Sequence, residues 1–132
     1  MLIEIDNHSG VPIYRQILDQ IRSHILTGRE PYGFQLPSVR DLAARVRVNP
    51  MTVSKAYSFL EAEGVVERKR GVGLFVAKVS QTQQDRTKAK MLEAILKKAA
   101  DTAIILSVDE KQAVKMFTDI YRSGNSQKER QK

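Results

Sequence analysis

The residues with the most chemical scope fall in two short stretches. In the first, Asn49, Met51, Thr52, Ser54 and Lys55 crowd around Pro50, with Ser38 and Arg40 shortly before them. In the second, Arg68, Lys69 and Arg70 lead into Gly71-Val72-Gly73. Neither stretch is catalytic in kind: no Ser-His-Asp grouping or phosphate loop accompanies them, so an enzyme is not expected. A helix opening at Asn49-Pro50 would direct orphan backbone N–H groups and its dipole at phosphate, with small polar side chains beside them. Lys55 follows one turn on, and Arg40 is long enough to reach a phosphate or a guanine. A glycine tip preceded by arginine suits a minor groove or its phosphates.

The bulk properties agree with a polyanionic partner. The chain has 132 residues, 42% hydrophobic and 28% charged, which fits one small domain, or a compact domain with an appendage. The net charge is +7. Residues 1–34 carry a slight acidic excess, whereas residues 35–78 and 79–132 are both basic. No apolar run approaches the roughly 18 residues of a membrane span, and Met1-Leu2-Ile3-Glu4 does not open a secretion signal. The absence of cysteine removes disulfides and thiolate chemistry and fits a reducing cytoplasm, the expected location. His8 and His24 stand apart from each other and from any carboxylate cluster, so neither a metal nor a cofactor is expected.

The elements that must position these residues can be read in order. Ile3 and Ile5 alternate with Leu2, Glu4 and Asp6, an extended segment with one apolar side. Ile13, Ile17, Ile21 and Ile25 recur every four residues, predicting an amphipathic helix over 12–27 with Pro12 at its first position. Residues 34–36 form a short extended piece before Pro37. Ser38, with Asp41 three residues on, caps a second helix whose Val39, Leu42, Ala43 and Val46 face inward. After the turn Arg47-Val48-Asn49, a third helix starts at Pro50 and ends at Glu63-Gly64. Its Val53, Ala56, Tyr57 and Leu60 face the core, leaving Met51, Thr52, Ser54, Lys55 and Ser58 outside. Two β-prone runs, 65–68 and 74–76, flank the glycines and predict a hairpin. Helix, short strand, helix, helix, hairpin is the order of a winged helix-turn-helix, assigned to residues 1–77.

Residues 78–90 contain no glycine or proline and read as the start of a further helix. Ala89, Leu92, Leu96, Ala99, Ala103 and Leu106 then alternate at spacings of three and four, a coiled-coil-like seam. Ser107 with Glu110 reads as a capping box opening a last helix with Ala113, Val114, Phe117, Ile120 and Tyr121 on one face, ended by Ser123-Gly124-Asn125. Residues 78–125 are therefore expected to form an antiparallel helical hairpin for dimerisation, and 126–132 a basic, flexible tail. Two helices alone cannot enclose a ligand pocket of roughly 300 Å³. They can pair protomers through Leu92, Leu96, Ala99, Ala103, Leu106, Phe117, Ile120 and Tyr121, setting two third helices about 34 Å apart, one DNA turn. The expected fold class is mostly α with a small β-hairpin wing.

Several linked motifs carry a resemblance over about residues 11–77. They are Ile13-Tyr14-x-Gln16-Ile17, Leu36-Pro37-Ser38-Val39-Arg40-Asp41-Leu42-Ala43, Val48-Asn49-Pro50-Met51-Thr52-Val53-x-Lys55-Ala56-Tyr57, Leu60-Glu61-x-Glu63-Gly64 and Gly71-x-Gly73-x-Phe75-Val76. Together they resemble the GntR family of transcriptional regulators, in its YtrA-like subfamily. The resemblance implies a bacterial, homodimeric repressor of a palindromic or pseudopalindromic double-stranded DNA operator, often responsive to a small molecule. It implies DNA contacts from Ser38 and Arg40 of the second helix and from Thr52 and Lys55 of the recognition helix, with Asn49 as cap and contact. Gly71 and Gly73 would shape the wing tip, beside Arg70, and Ser54 and Met51 complete the expected interface. Met51 stands where the subfamily usually carries a polar residue, and its thioether suits a thymine methyl. Leu74 stands where threonine is usual, removing one hydrogen bond to phosphate. A small-molecule effector is expected at the dimer interface or between the helical hairpin and the winged domain. Two other readings stay open: a winged-helix architectural or RNA-binding protein without strong sequence preference, and a protein-interaction module docking through its C-terminal helices.

Overall fold

Why the first three helices pack is visible in which side chains the fold hides. A computed structural model describes residues 1–130. It contains α1 (Ile13–Leu26), α2 (Val39–Val46), α3 (Pro50–Ala62), β1 (Val66–Lys69), β2 (Gly73–Val76), α4 (Gln81–Ile105) and α5 (Glu110–Arg130). The chain divides into two compact units, Met1–Asp85 and Arg86–Lys132, a division inside α4 rather than at the 77/78 boundary expected.

In the first unit the isoleucine stripe of α1 does what its spacing predicts. Ile17, Leu18 and Ile21 are fully buried, together with Val53, Ala56 and Leu60 of α3 and Leu42 of α2. Val65, Val66, Leu74 and Val76 close the core from the hairpin side. Each such aliphatic side chain contributes roughly 1.5–3 kcal/mol by leaving water. Arg22 Nε of α1 lies 3.1 Å from Glu63 Oε2, an ion pair between α1 and the end of α3.

The N-terminal segment alternates as expected, with Ile3 buried and Leu2 exposed, but it pairs with no strand among the described residues. Glutamine side chains of α1 replace one. Gln20 accepts from the Glu4 N–H at 2.9 Å and donates to the Glu4 carbonyl at 2.6 Å. Gln16 does the same for Asp6, at 2.8 Å for both bonds. Backbone polar groups on the packed side of the segment are thereby satisfied without a sheet.

The hairpin is antiparallel, with Val66 opposite Val76 and Lys69 opposite Gly73. Its second strand is held on both edges. Residues 34–36 lie along β2, where the Leu36 N–H donates to the Leu74 carbonyl at 2.9 Å and the Val76 N–H to the Phe34 carbonyl at 2.8 Å. The wing is thus fastened to the segment that leads into α2.

Both caps of the helix-turn-helix form. Ser38 Oγ accepts from the Asp41 N–H at 3.1 Å, and Asn49 Oδ1 from the Met51 N–H at 2.8 Å. Between them Arg47 is left-handed, φ 57°, and the Val48 N–H turns back to the Ala43 carbonyl. Tyr57 locks the pair: its hydroxyl donates to the Pro37 carbonyl at 2.8 Å, one residue before the α2 cap. Burial pushes the phenol well above its ordinary range, so it stays protonated as this donor.

The C-terminal helices correct three expectations. Ser107 is no N-cap: it is left-handed, φ 57°, and closes α4, while Asp109 Oδ1 accepts from the Gln112 N–H at 2.8 Å and caps α5. The carboxylate beside the helix start takes the role from the hydroxyl, which lies within the turn. Gly124 does not end α5, which continues to Arg130, so the tail expected to be flexible from 126 is helical over those residues. One glycine costs about 1 kcal/mol in a helix, and the glutamine, lysine, glutamate and arginine that follow are good helix formers. Residues 131–132 of that tail lie outside the described residues. α4 begins at Gln81 behind a Ser80 cap and buries none of its residues, so its seam is not closed within one chain. Among the described residues no helix is long and apolar enough to cross a membrane.

The Tyr57 lock predicts that Tyr57→Phe lowers stability by about 1–2 kcal/mol in urea denaturation, because the Pro37 carbonyl loses its donor while the ring packing remains.

Candidate nucleic-acid interface

A helix packed on one side offers the other to a ligand, and α3 is packed by α1, α2 and β1. Of the residues left outside, Met51 is 75% exposed, Lys55 and Ser58 are exposed, and Thr52 and Ser54 are half-buried. Arg40 and Ser38 of the α2 start are exposed nearby in sequence and fold. The caps decide what two of these groups can still offer. Asn49 Oδ1 is occupied by the Met51 N–H, so its amide NH₂ remains as donor. Ser38 Oγ has accepted a bond and keeps its O–H to donate.

Charge is unevenly committed. Among the described residues Arg40, Arg45, Arg47 and Arg70 form no ion pair within the chain. Arg68, by contrast, lies 3.0 Å from Glu61 Oε2, and Lys69 sits over the Phe75 ring at 4.4 Å. Lys55 Nζ stands 3.9 Å from the centre of the Tyr14 ring, which is stacked on Phe59 at 5.7 Å. Tyr14, Phe59 and Gln35 are neighbours of the candidate interface that the spacing of residues does not reveal. Tyr14 sits beside the α1 stripe and Phe59 outside the α3 stripe, so periodicity gave neither a partner.

The exposed ridge of α3 lies between two hollows. One, about 710 Å³ and open, is lined by Ile13, Tyr14, Met51, Thr52, Ser54, Lys55 and Ser58. The other, about 250 Å³, separates α3 from the wing and includes Ser38, Ser54, Ser58, Arg68 and Gly73. The structure therefore brings together Ser38, Ser54 and Gly73 along one hollow and Met51, Thr52, Ser54 and Lys55 along the other.

At the wing, Arg70 and Gly71 form the exposed tip, with Gly71 at φ +76° and the Val72 N–H donating to the Lys69 carbonyl. Gly73 has a different reason to be glycine. It lies at φ +144°, and a Cβ there would stand 2.9 Å from Gln35 Nε2, which donates to the Val72 carbonyl at 3.1 Å. Leu74 corrects an expectation: it is buried in the core, so its position does not face phosphate and the threonine comparison has no bearing on the wing's outer surface.

The residues expected to pair protomers have apolar surface to cover. Leu92, Leu96, Leu106, Phe117, Ile120 and Tyr121 are all exposed, as is Ala99, with Ala103 half-buried.

Residues 13–76 match the family described as bacterial regulatory proteins, gntR family. The HTH-type transcriptional repressor YtrA of Bacillus subtilis is 43% identical over 73% of this chain and 74% of its own length. A GntR-family transcriptional regulator from Listeria monocytogenes superposes with a TM-score of 0.72 at 25% identity, covering 87% of this chain and 98% of that one. The DNA-binding domain of AraR, solved in complex with its operator ORX1, superposes with a TM-score of 0.53 at 26% identity over 58% of this chain and 96% of that one.

The two wing glycines should respond differently to a methyl group. Gly73→Ala meets both a glycine-only backbone and Gln35, and is expected to cost about 1–3 kcal/mol, whereas Gly71→Ala meets open space and costs about 1 kcal/mol. Urea denaturation of the two variants checks the order.

Proposed function

The chain belongs to the gntR family of bacterial regulatory proteins, a DNA-binding transcriptional regulator rather than an enzyme, and from that premise we propose that it is a homodimeric, cytoplasmic repressor of a palindromic or pseudopalindromic operator. The observation that carries this reading is the α3 face: capped at its start, free of the core, and preceded in the chain by Arg40, Arg45 and Arg47, which form no ion pair among the described residues. In this reading the α3 start enters the major groove. Thr52 and Ser54 hydrogen-bond base edges, and Asn49 donates its free amide hydrogens. Arg40 and Lys55 meet phosphate or guanine from either side of the ridge, and Ser38 donates its hydroxyl. Arg70, carried by the Gly71–Gly73 tip, reaches the adjacent backbone or minor groove.

Two copies are needed to read two half-sites, and the exposed seam of α4 with the Phe117, Ile120 and Tyr121 face of α5 supplies the surface for pairing. Ala99 and Ala103 permit close approach of the helices. The name of the YtrA relative supports repression. A small-molecule effector, as the family resemblance suggests, would act on this pairing.

Arg40→Ala and Lys55→Ala are each expected to weaken operator binding roughly tenfold in gel shifts, with the salt slope of affinity falling by about one for the phosphate contact. No change for either would remove the contact assignment. Equal affinity for selected and random duplexes would instead favour an architectural role. Leu92→Asp combined with Leu96→Asp should yield a monomer in sedimentation and lower operator affinity, since one protomer keeps only one half-site.

A further inference from the structure

Met51 is the most exposed large apolar side chain on the α3 face, and the fold does not need it: its backbone N–H is taken by the Asn49 cap and its side chain is 75% exposed. It is not isolated. It lines the open hollow beside α3 together with Ile13 and Tyr14 of α1, so one hollow draws apolar residues from two helices at the start of the recognition helix. Tyr14 gives that surface a fixed wall. Its ring stacks on Phe59 with planes 18° apart, and the Lys55 ammonium rests over it at 3.9 Å. The rim of the same hollow is polar and cationic, with Thr52, Ser54 and Lys55.

An apolar floor with a cationic rim narrows the occupant. The rim suits a polyanion, and the major groove of duplex DNA offers one apolar group on its base edges, the 5-methyl of thymine. We propose that Met51, backed by Ile13 and Tyr14, is a specificity-determining residue that selects a thymine in each half-site by burying its 5-methyl group. This rests on the DNA-reading role proposed above and adds to it that α1 takes part in base selection. A flexible thioether has no hydrogen bond to offer that compares with an amide's, so discrimination here comes from apolar contact alone.

The test uses the full-length protein and an operator recovered by its own selection from a random duplex pool. Each thymine of a half-site is replaced in turn by deoxyuridine, which keeps base pairing and removes only the methyl. The wild-type protein is expected to lose about fourfold in affinity at one position per half-site, the effect of one buried methyl-sized group. Met51→Ala should bind thymine and deoxyuridine operators alike at that position, whereas Lys55→Ala should weaken both and keep their ratio. Equal binding of every deoxyuridine operator by the wild type, or an unchanged ratio in Met51→Ala, overturns the inference while leaving the regulator reading intact. Failure to recover any preferred sequence overturns both.

Discussion

The packing of the α1 isoleucine stripe against one side of α3 is the constraint from which the rest follows. Ile17 and Ile21 are hidden together with Val53, Ala56 and Leu60, and this apolar contact orients α3 about its own axis. A small rotation would carry Met51 and Lys55 inward and expose Val53 or Ala56, losing roughly 1.5–3 kcal/mol for each large side chain returned to water. The exposed ridge is therefore specified by what lies on its reverse side. The polar bonds add position: Tyr57 ties α3 to the residue before the α2 cap, and β2, held on both edges, ties the wing to the same approach segment. Recognition helix, preceding helix and wing converge on residues 34–38.

Much of this was legible because it is written in local signals. Four-residue recurrence placed α1, the Ser38 and Asn49 caps placed α2 and α3, and the paired glycines placed the wing. Local signals mislead where two of them compete. Ser107 and Asp109 both qualify as caps, and only the left-handed backbone of Ser107 decides between them. Gly124 looked like punctuation, but the helix formers after it outweigh its small cost. The contacts that periodicity does not encode were not legible: Gln16 and Gln20 serving the N-terminal backbone, Gln35 filling the space at Gly73, and Tyr14 bridging Phe59 and Lys55. Each joins side chains to groups distant in sequence or on another helix.

The second unit obeys a different logic. The first hides its apolar residues within one chain, whereas α4 and α5 leave theirs in water despite regular apolar spacing. Helices of this kind gain most of their stability from an amphipathic face that becomes covered, not from propensity alone. In the proposed homodimer, folding of the C-terminal region and association of protomers would be thermodynamically linked, with concentration entering the apparent stability.

Arg47 sets backbone strain against surface charge at a single position. Its left-handed backbone costs a residue that carries a β-carbon roughly 1–2 kcal/mol, and glycine would relieve that strain. Glycine would also delete a cation that forms no ion pair among the described residues, at the turn joining α2 and α3. Selection for heat resistance and, in the proposed DNA-reading role, retention of positive charge pull this residue in opposite directions. A thermally hardened variant that acquires glycine here is accordingly expected to need a compensating positive charge elsewhere on the same face.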